Sequence, residues 1–395
     1  MGVRRTEQEV LSRIGVGELG PAQRAIMRRL LSEVEDWDYL FAVAIYHGLV
    51  PLLHQHVQLT AADLVPASFL SRLKQFSIAN AQNVLHLLSK QLKLSRVFKD
   101  NNVPVAIFKG CVLSQMAYRD MSLRQAGDID VLISRSHFHR AKTLLESLGY
   151  RMTPSLTGAQ LASHLGSHCE IQFVRDDWFT VVDLHWALAP KSFTFNVDSD
   201  ELLSRLQTVE IGGVEVETLA TEDLIVYLSM HGAKHLWRAV EWISSLGELI
   251  RSTEMISWDT VVERAEHAHA TRMLGLGLRL VETVSQVEIP IRVFRKVDAE
   301  GSAKRLADEV LARVFDVSGA ADSTETNLYN LKIMDRKRDV LISALRAVFV
   351  PTFTDWHALN LPPSLHSLYY AYRPLRLSKA YTTSLWRKLG SRGAL

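Results

Sequence analysis

Apolar residues recur at three- and four-residue spacing through AQRAIMRRLLSEV and WDYLFAVAIYHGLVPLLHQHV, which predicts helices over residues 6–100. Pro66 suits the first turn of a long helix that runs to about Lys99 without an internal Pro or Gly. The period changes at Asn101-Asn102, a turn signal. VPVAIF, residues 103–108, is a short continuous apolar run and reads as a buried strand. Lys109-Gly110 follows at once, CVLSQMAYRD reads as a short helix, and DIDVLIS is a second strand. RSHFHRAKTLLESLGY is an amphipathic helix closed by Gly149. HCEIQFVR and FTVVDLHWAL flank Arg175-Asp176-Asp177 as an antiparallel hairpin, and residues 207–218 form another around Gly212-Gly213.

From Thr221 the helical period returns, opened by the N-terminal signal Thr221-Glu222-Asp223. It predicts helices at about 221–236, 239–251, 257–268, 271–286, 299–315 and 328–347, then a proline-punctuated stretch and a last helix near 375–389. The expected fold is α/β (α+β): a small mixed sheet between helical segments. Three units follow: an N-terminal helical unit over 1–100, an α/β core over 101–218, and a C-terminal helical unit over 219–395 with a basic tail.

Composition narrows this picture. A chain of 395 residues, 47% apolar and 22% charged, can build a sizeable core, and its formal charge of +2 makes the whole molecule no generic polyanion binder. The two cysteines, Cys111 and Cys169, form neither a zinc motif nor a disulfide framework, as suits a reducing compartment. MGVRRTEQEVLSRIG has no apolar signal-peptide region, and the longest apolar stretch, Leu40 to Leu53, is too short to span a bilayer. The expected location is cytoplasmic, with no transmembrane segment.

Candidate chemistry concentrates in FKGCVLSQMAYRDMSLRQAGDIDVLIS, residues 108–134. In a strand, residues i and i+2 share a face, so Asp128 and Asp130 point together while Ile129, Val131 and Ile133 point away. Two adjacent carboxylates repel unless a cation compensates, and such a pair suits Mg²⁺ carrying substrate phosphates. On that count, amidating Asp130 should cost the fold little and could even help it. A plainer reading is a strand-edge Asp with a second Asp capping a turn. Gly110 favours the first: a glycine between a buried strand and a helix lets backbone N–H groups face a phosphate. Lys109 adds a point charge there, and Arg124 can fork onto phosphate oxygens.

Lys109-Gly110, Tyr118, Arg124 and Gly127-Asp128-Ile129-Asp130 resemble an uncharacterised branch of the DNA polymerase β-like nucleotidyltransferases. Gly110-Cys111 stands where that superfamily has Gly-Ser, so one hydroxyl contact is lost. The resemblance implies an NTP substrate, Mg²⁺ or Mn²⁺ on Asp128 and Asp130, and Asp183 of VVDLHWAL as the third metal ligand. It implies a nucleotide-binding turn at Lys109, Gly110, Cys111 and Arg124, with His185 in the pocket. A packed, hydrogen-bonded strand end is the alternative for His185-Trp186.

His231, Lys234, His235 and Arg238 form one helical stripe that could hold triphosphate or simply face solvent. The branch often carries an acid where this chain has Ser245. The expected reaction is nucleotidyl transfer to a small molecule, peptide or protein rather than to nucleic acid. A nucleotide-sensing or protein-binding module on the same fold is the alternative. Residues 356–395 hold no Asp or Glu but carry Arg373, Arg376, Lys379, Arg387, Lys388 and Arg392 among aromatic residues. That patch could meet an anionic partner such as RNA, a membrane surface or an acidic protein, or pack on acids of the same chain.

Overall fold

The structure is a computed structural model that describes residues 5–176, 180–315, 323–359 and 361–390. Five helices come first: α1 (Thr6–Arg13), α2 (Pro21–Ser32), α3 (Trp37–Tyr46), α4 (Val50–Thr60) and the long α5 (Ala67–Asp100). The α/β segment follows as β1 (Val105–Phe108), α6 (Gly110–Tyr118), β2 (Ile129–Ile133), α7 (Phe138–Ser147), β3 (Arg151–Thr153), α8 (Gly158–Ser167), β4 (Glu170–Arg175), β5 (Thr180–His185), α9 (Ser199–Leu203), β6 (Gln207–Ile211) and β7 (Val214–Thr218). Helices α10 (Thr221–Lys234), α11 (Val240–Ser252), α12 (Trp258–His267), α13 (Thr271–Val284), α14 (Ile291–Val297) and α15 (Ser302–Arg313) come next. The chain closes with α16 (Ser323–Lys332), α17 (Lys337–Phe349), α18 (Phe353–Ala358) and α19 (Tyr369–Gly390).

Five strands form one mixed sheet in the order β1-β2-β5-β4-β3, and β6-β7 is a separate hairpin. Only β2 and β5 run parallel among the paired neighbours. Alternation along the strands divides the sheet's faces between two apolar cores. Ile129, Val131 and Ile133 join Ile171, Phe173, Val182 and Leu184 in a core covered by the C-terminal half of α5 and by α7. Ala106, Phe108 and Leu132 face the larger core, in which helices from both ends of the chain meet. The acids of β2 and β5 lie on this second face, at the end where the apolar lining stops.

The long helix, the strands expected at 103–108, 128–134, 168–175 and 179–188, the hairpin at 207–218 and the small mixed sheet match the sequence reading, and the short β3 is an addition; Asp177 of the predicted hairpin turn lies outside the described residues. Three differences have local causes. Helix α8 is opened by a Thr157/Gln160 capping box, in which Thr157 N donates to Gln160 Oε1 at 2.9 Å. The helix expected over 328–347 is two helices, broken where the Asp335 carboxylate accepts from Thr271 N (2.8 Å) and Arg272 N (2.7 Å) at the start of α13. Helix α10 stops at Lys234 rather than 236, because Leu236 and Trp237 take positive φ of 60° and 51°. That reversal lays the Trp237 ring against Gly232, where an added Cβ would meet it at 2.5 Å. No helix among the described residues is long and apolar enough to cross a membrane.

Candidate active site

Strand β1 delivers its chain end directly beside β2, with Phe108 opposite Asp130. The backbone then turns sharply. Lys109 has φ 60° and Gly110 has φ 46°, two successive positive values that swing the chain from strand into α6. Glycine is needed for that conformation rather than for space, since an added Cβ would lie an ordinary 3.6 Å from the Asp128 carbonyl. Helix α5 fixes the loop that follows α6: Asn80 Nδ2 donates to the carbonyls of Ser122 (2.8 Å) and Arg124 (3.2 Å), and Asn83 Nδ2 to that of Ala126 (2.7 Å).

The parallel register of β2 and β5 sets Asp130 against Asp183, on strands separated in sequence by β3 and β4 but adjacent in space. The antiparallel β4 sets Glu170 against His185. Asp128, Asp130, Asp183, His185 and Glu170 therefore share one side of the sheet.

Asp130 is buried and accepts from Lys109 Nζ at 2.7 Å and from His185 Nε2 at 3.1 Å. Burial alone would raise its pKa, but the two cationic neighbours hold it below the ordinary carboxylate range. His185 is buried too, and its Nδ1 lies 3.0 Å from Glu170 Oε2. Burial disfavours the imidazolium, yet the contacts with Asp130 and Glu170 raise it to about 9. Glu170 is in turn held at about 2, against burial, chiefly by His185. Lys109, 5.6 Å from the ring centres of Phe108 and Tyr227, also stays charged, because Asp130 outweighs its burial.

The other two acids behave differently. Asp183 is raised to about 6, first by burial and then by Asp130 and Asp128, and its Oδ1 is buried without a partner. Asp128 is raised by burial and by Asp130. Of the three aspartates, one is thus compensated and two lack a cation.

These groups line a cleft of about 310 Å³ whose facing wall comes from α10 and α11. Lys109, Arg124, Asp128, Asp130, Asp183, Lys234 and His235 all meet there. His185 sits behind Asp130 and Glu170, both of which line the cleft. His185 faces the site while its neighbour Trp186 is the packed strand end, its Nε1 donating to the His168 carbonyl at 2.9 Å. Gly110 forms the turn, but the Cys111 thiol faces the other core, donates to the Val84 carbonyl at 3.7 Å and is pushed up to about 11 by burial. Arg238 leaves the stripe because α10 has ended; it is exposed and reaches Thr326 Oγ1 at 3.3 Å.

Residues that the sequence reading passes over complete the wall. Glu170, Tyr227 and Trp242 line the cleft. His231 and His235, with ring centres 4.8 Å apart, stand against Trp242, and burial holds both imidazoles low, His235 at about 4. Glu241 forms a buried ion pair with Arg124 Nε and accepts from Ser245 Oγ at 2.5 Å. Ser245 stands where the branch often carries an acid, and here its hydroxyl donates to Glu241, one helical turn earlier. Lys234 is the cleft cation left with no hydrogen bond or ion pair among the described residues.

A divalent cation fits this donor set. One ligand atom each from Asp130, Asp183 and His185 lies within 4.8 Å of the others, and the Asp183 Oδ1 is orphaned. His185 already meets carboxylates through both nitrogens, so the carboxylates, Asp128 among them, are the better-suited ligands.

The site thus joins a small mixed sheet, a strand-to-helix turn and a group of acids beside it. The chain belongs to the family described as uncharacterised nucleotidyltransferase, whose model matches residues 33–286. Among solved structures, it is similar to the solution structure of the antibiotic-resistance factor ANT(2'')-Ia. The identity is 14%, the likeness covers 60% of this chain and 96% of that one, and the TM-score is 0.27. No curated protein matches the chain.

Proposed function

We propose that this chain transfers a nucleoside monophosphate from an NTP to an acceptor other than nucleic acid, with Asp128, Asp130 and Asp183 as its metal-binding carboxylates. The observation that carries the proposal is the pairing of Asp130 with Asp183 across parallel strands, beside Asp128 and with an unpartnered carboxylate oxygen. In the reaction, an acceptor oxygen bonds to the α-phosphorus as the bond to pyrophosphate breaks. Mg²⁺ or Mn²⁺ held by these acids would neutralise the triphosphate and stabilise the charge that develops on the oxygens.

The chain's own residues do the rest. Lys109 and His185 hold Asp130 ionised and in place, as a metal ligand requires. Lys234 offers the triphosphate an unengaged ammonium, and the first N–H groups of α6 open beside the Gly110 turn. Arg124 lines the cleft while anchored to Glu241, so it serves as a fixed positive wall. With a formal charge of +2 the chain as a whole is no generic polyanion binder, which suits a small molecule, peptide or protein as acceptor.

One observation favours the alternative of a nucleotide-sensing module: Lys109 and Arg124, two of the expected phosphate-binding cations, are already bound to carboxylates. The deciding experiment incubates purified protein with each labelled NTP, Mg²⁺ and a cell lysate, then identifies what becomes labelled. Label on an acceptor, lost in Asp128→Asn, which strands no buried cation, is the expected result. NTP binding with no transfer to any acceptor would overturn the enzyme reading in favour of the sensor.

A further inference from the structure

The charge of this chain is segregated. Residues 336–395 carry ten Lys and Arg against two acids, Asp339 and Asp355, a formal +8 in a chain of +2, so residues 1–335 sum to −6. Both acids are turned inward. Asp355 is fully buried and accepts from Arg373 Nη1 at 2.7 Å and Arg376 Nε at 2.5 Å. Asp339 is buried and lies 3.3 Å from His269 Nδ1. Among the described residues, Lys337, Arg338 and Lys379 of this segment are exposed.

The same segment exposes an apolar stripe. On α17, Leu341, Leu345, Val348 and Phe349 are 60%, 50%, 39% and 46% exposed. At about 100° per residue they fall within one arc of roughly 100°. Lys337 and Arg338, both exposed and neither hydrogen-bonded nor ion-paired among the described residues, lie beside and within that arc at the start of the helix. Asp339 and Ser343, buried, lie on the opposite side, where Ser343 Oγ meets Thr194 Oγ1 at 3.2 Å. Leu368, Tyr370 and Leu375, on or just before α19, which packs against α17, are at least half exposed as well.

Cations at one end of a stripe of exposed aliphatic residues select among partners. Aliphatic side chains gain nothing from a nucleic-acid backbone, whereas an anionic bilayer surface takes both parts: leucines into the acyl boundary, Lys and Arg against the headgroups. We propose that α17, with the basic C-terminal segment beside it, lies on an anionic phospholipid surface, in the plane of the membrane. This docking surface is separate from the cleft and holds whether or not the cleft turns over NTP.

The test is co-sedimentation of the full chain with vesicles of phosphatidylcholine alone and of phosphatidylcholine with phosphatidylglycerol. The expected result is binding to the anionic vesicles only, weakened by salt. Leu345→Glu with Phe349→Glu, and separately Lys337→Glu with Arg338→Glu, should each weaken it about tenfold or more at unchanged melting temperature, since these positions are exposed. No sedimentation with either vesicle overturns the proposal, as does equal binding to both. Anionic-vesicle binding untouched by either double variant overturns the assignment to α17. RNA retention without vesicle binding would assign the basic segment to nucleic acid instead. A concentration-dependent dimer abolished by Leu345→Glu with Phe349→Glu, again without vesicle binding, would assign the stripe to a second copy of the chain.

Discussion

Asp183→Asn removes one of the three aspartates that face the cleft, and the structure gives the change a sign. Asp183 is raised from its ordinary 3.8 to about 6, by burial and then by Asp130 and Asp128. A carboxyl with a raised folded pKa holds its proton more tightly in the native state. Its stabilising contribution is therefore complete below the unfolded value, near pH 4, and is lost as pH rises through about 6. Above that window, without metal, the ionised side chain penalises the fold by up to ~3 kcal/mol, and its partial exposure to the cleft reduces this to ~1–2 kcal/mol. Asn carries no charge to penalise. Asp183→Asn should thus be more stable than wild type by ~1–2 kcal/mol in EDTA near pH 7.5, and the gain should disappear near pH 4, where the wild-type residue is itself neutral. Saturating Mg²⁺ should reverse the order, because only wild type offers the third carboxylate to the ion. Urea denaturation at both pH values, with and without Mg²⁺, measures all of this. A variant less stable than wild type in EDTA near pH 7.5 would refute the reasoning, as would a gain that persists near pH 4.

Three further outcomes follow from the same charges. Asp130→Asn should destabilise the metal-free protein by ~3–5 kcal/mol, since it strands the buried Lys109 and His185 cations; thermal and urea melts check this, and a variant as stable as wild type contradicts it. Arg124→Met should cost ~3 kcal/mol or more by stranding Glu241, and Glu241→Gln should restore part of the loss in a double-mutant cycle; additive effects would show that the pair is not coupled. NTP affinity by calorimetry should fall steeply in EDTA, because uncompensated Asp128 and Asp183 repel a triphosphate; equal affinity with and without Mg²⁺ would exclude a metal-bridged site.

What could be read in the sequence is what a few neighbouring residues determine. Strand β2 and its outward acids were legible because period two and the opposing Ile129, Val131 and Ile133 lie within six residues. Asp183 came through family resemblance alone: its place beside Asp130 depends on a parallel pairing between strands 53 residues apart, which no local period reports. Cys111 was legible in position but not in direction, because the side on which α6 packs is a tertiary fact. Glu241 was hidden because its pairing with Arg124 joins residues 117 positions apart, a contact that no local period reports. The basic tail was legible as composition. Its alternative reading, packing on acids of the same chain, describes Arg373 and Arg376 on Asp355. Tyr381, Trp386, Arg387, Lys388 and Arg392 lie outside the residues whose side chains are described.

The acid pair itself shows where local reasoning gives the wrong sign. Counting charges along β2 finds Asp128 and Asp130, two like charges, and predicts that amidating either relieves repulsion. The fold adds Lys109 from the end of β1 and His185 from β5, and both reach Asp130. Asp130 thereby becomes the anion on which two buried cations depend, while the uncompensated repulsion falls on Asp128 and Asp183. Three carboxylates of the same chemistry, on one side of one sheet, divide into one that the fold needs charged and two whose charge it bears until a cation arrives. The distinction follows from which strand ends carry Lys109 and His185 to Asp130, and it is what makes Asp130→Asn and Asp183→Asn opposite in their effect on stability.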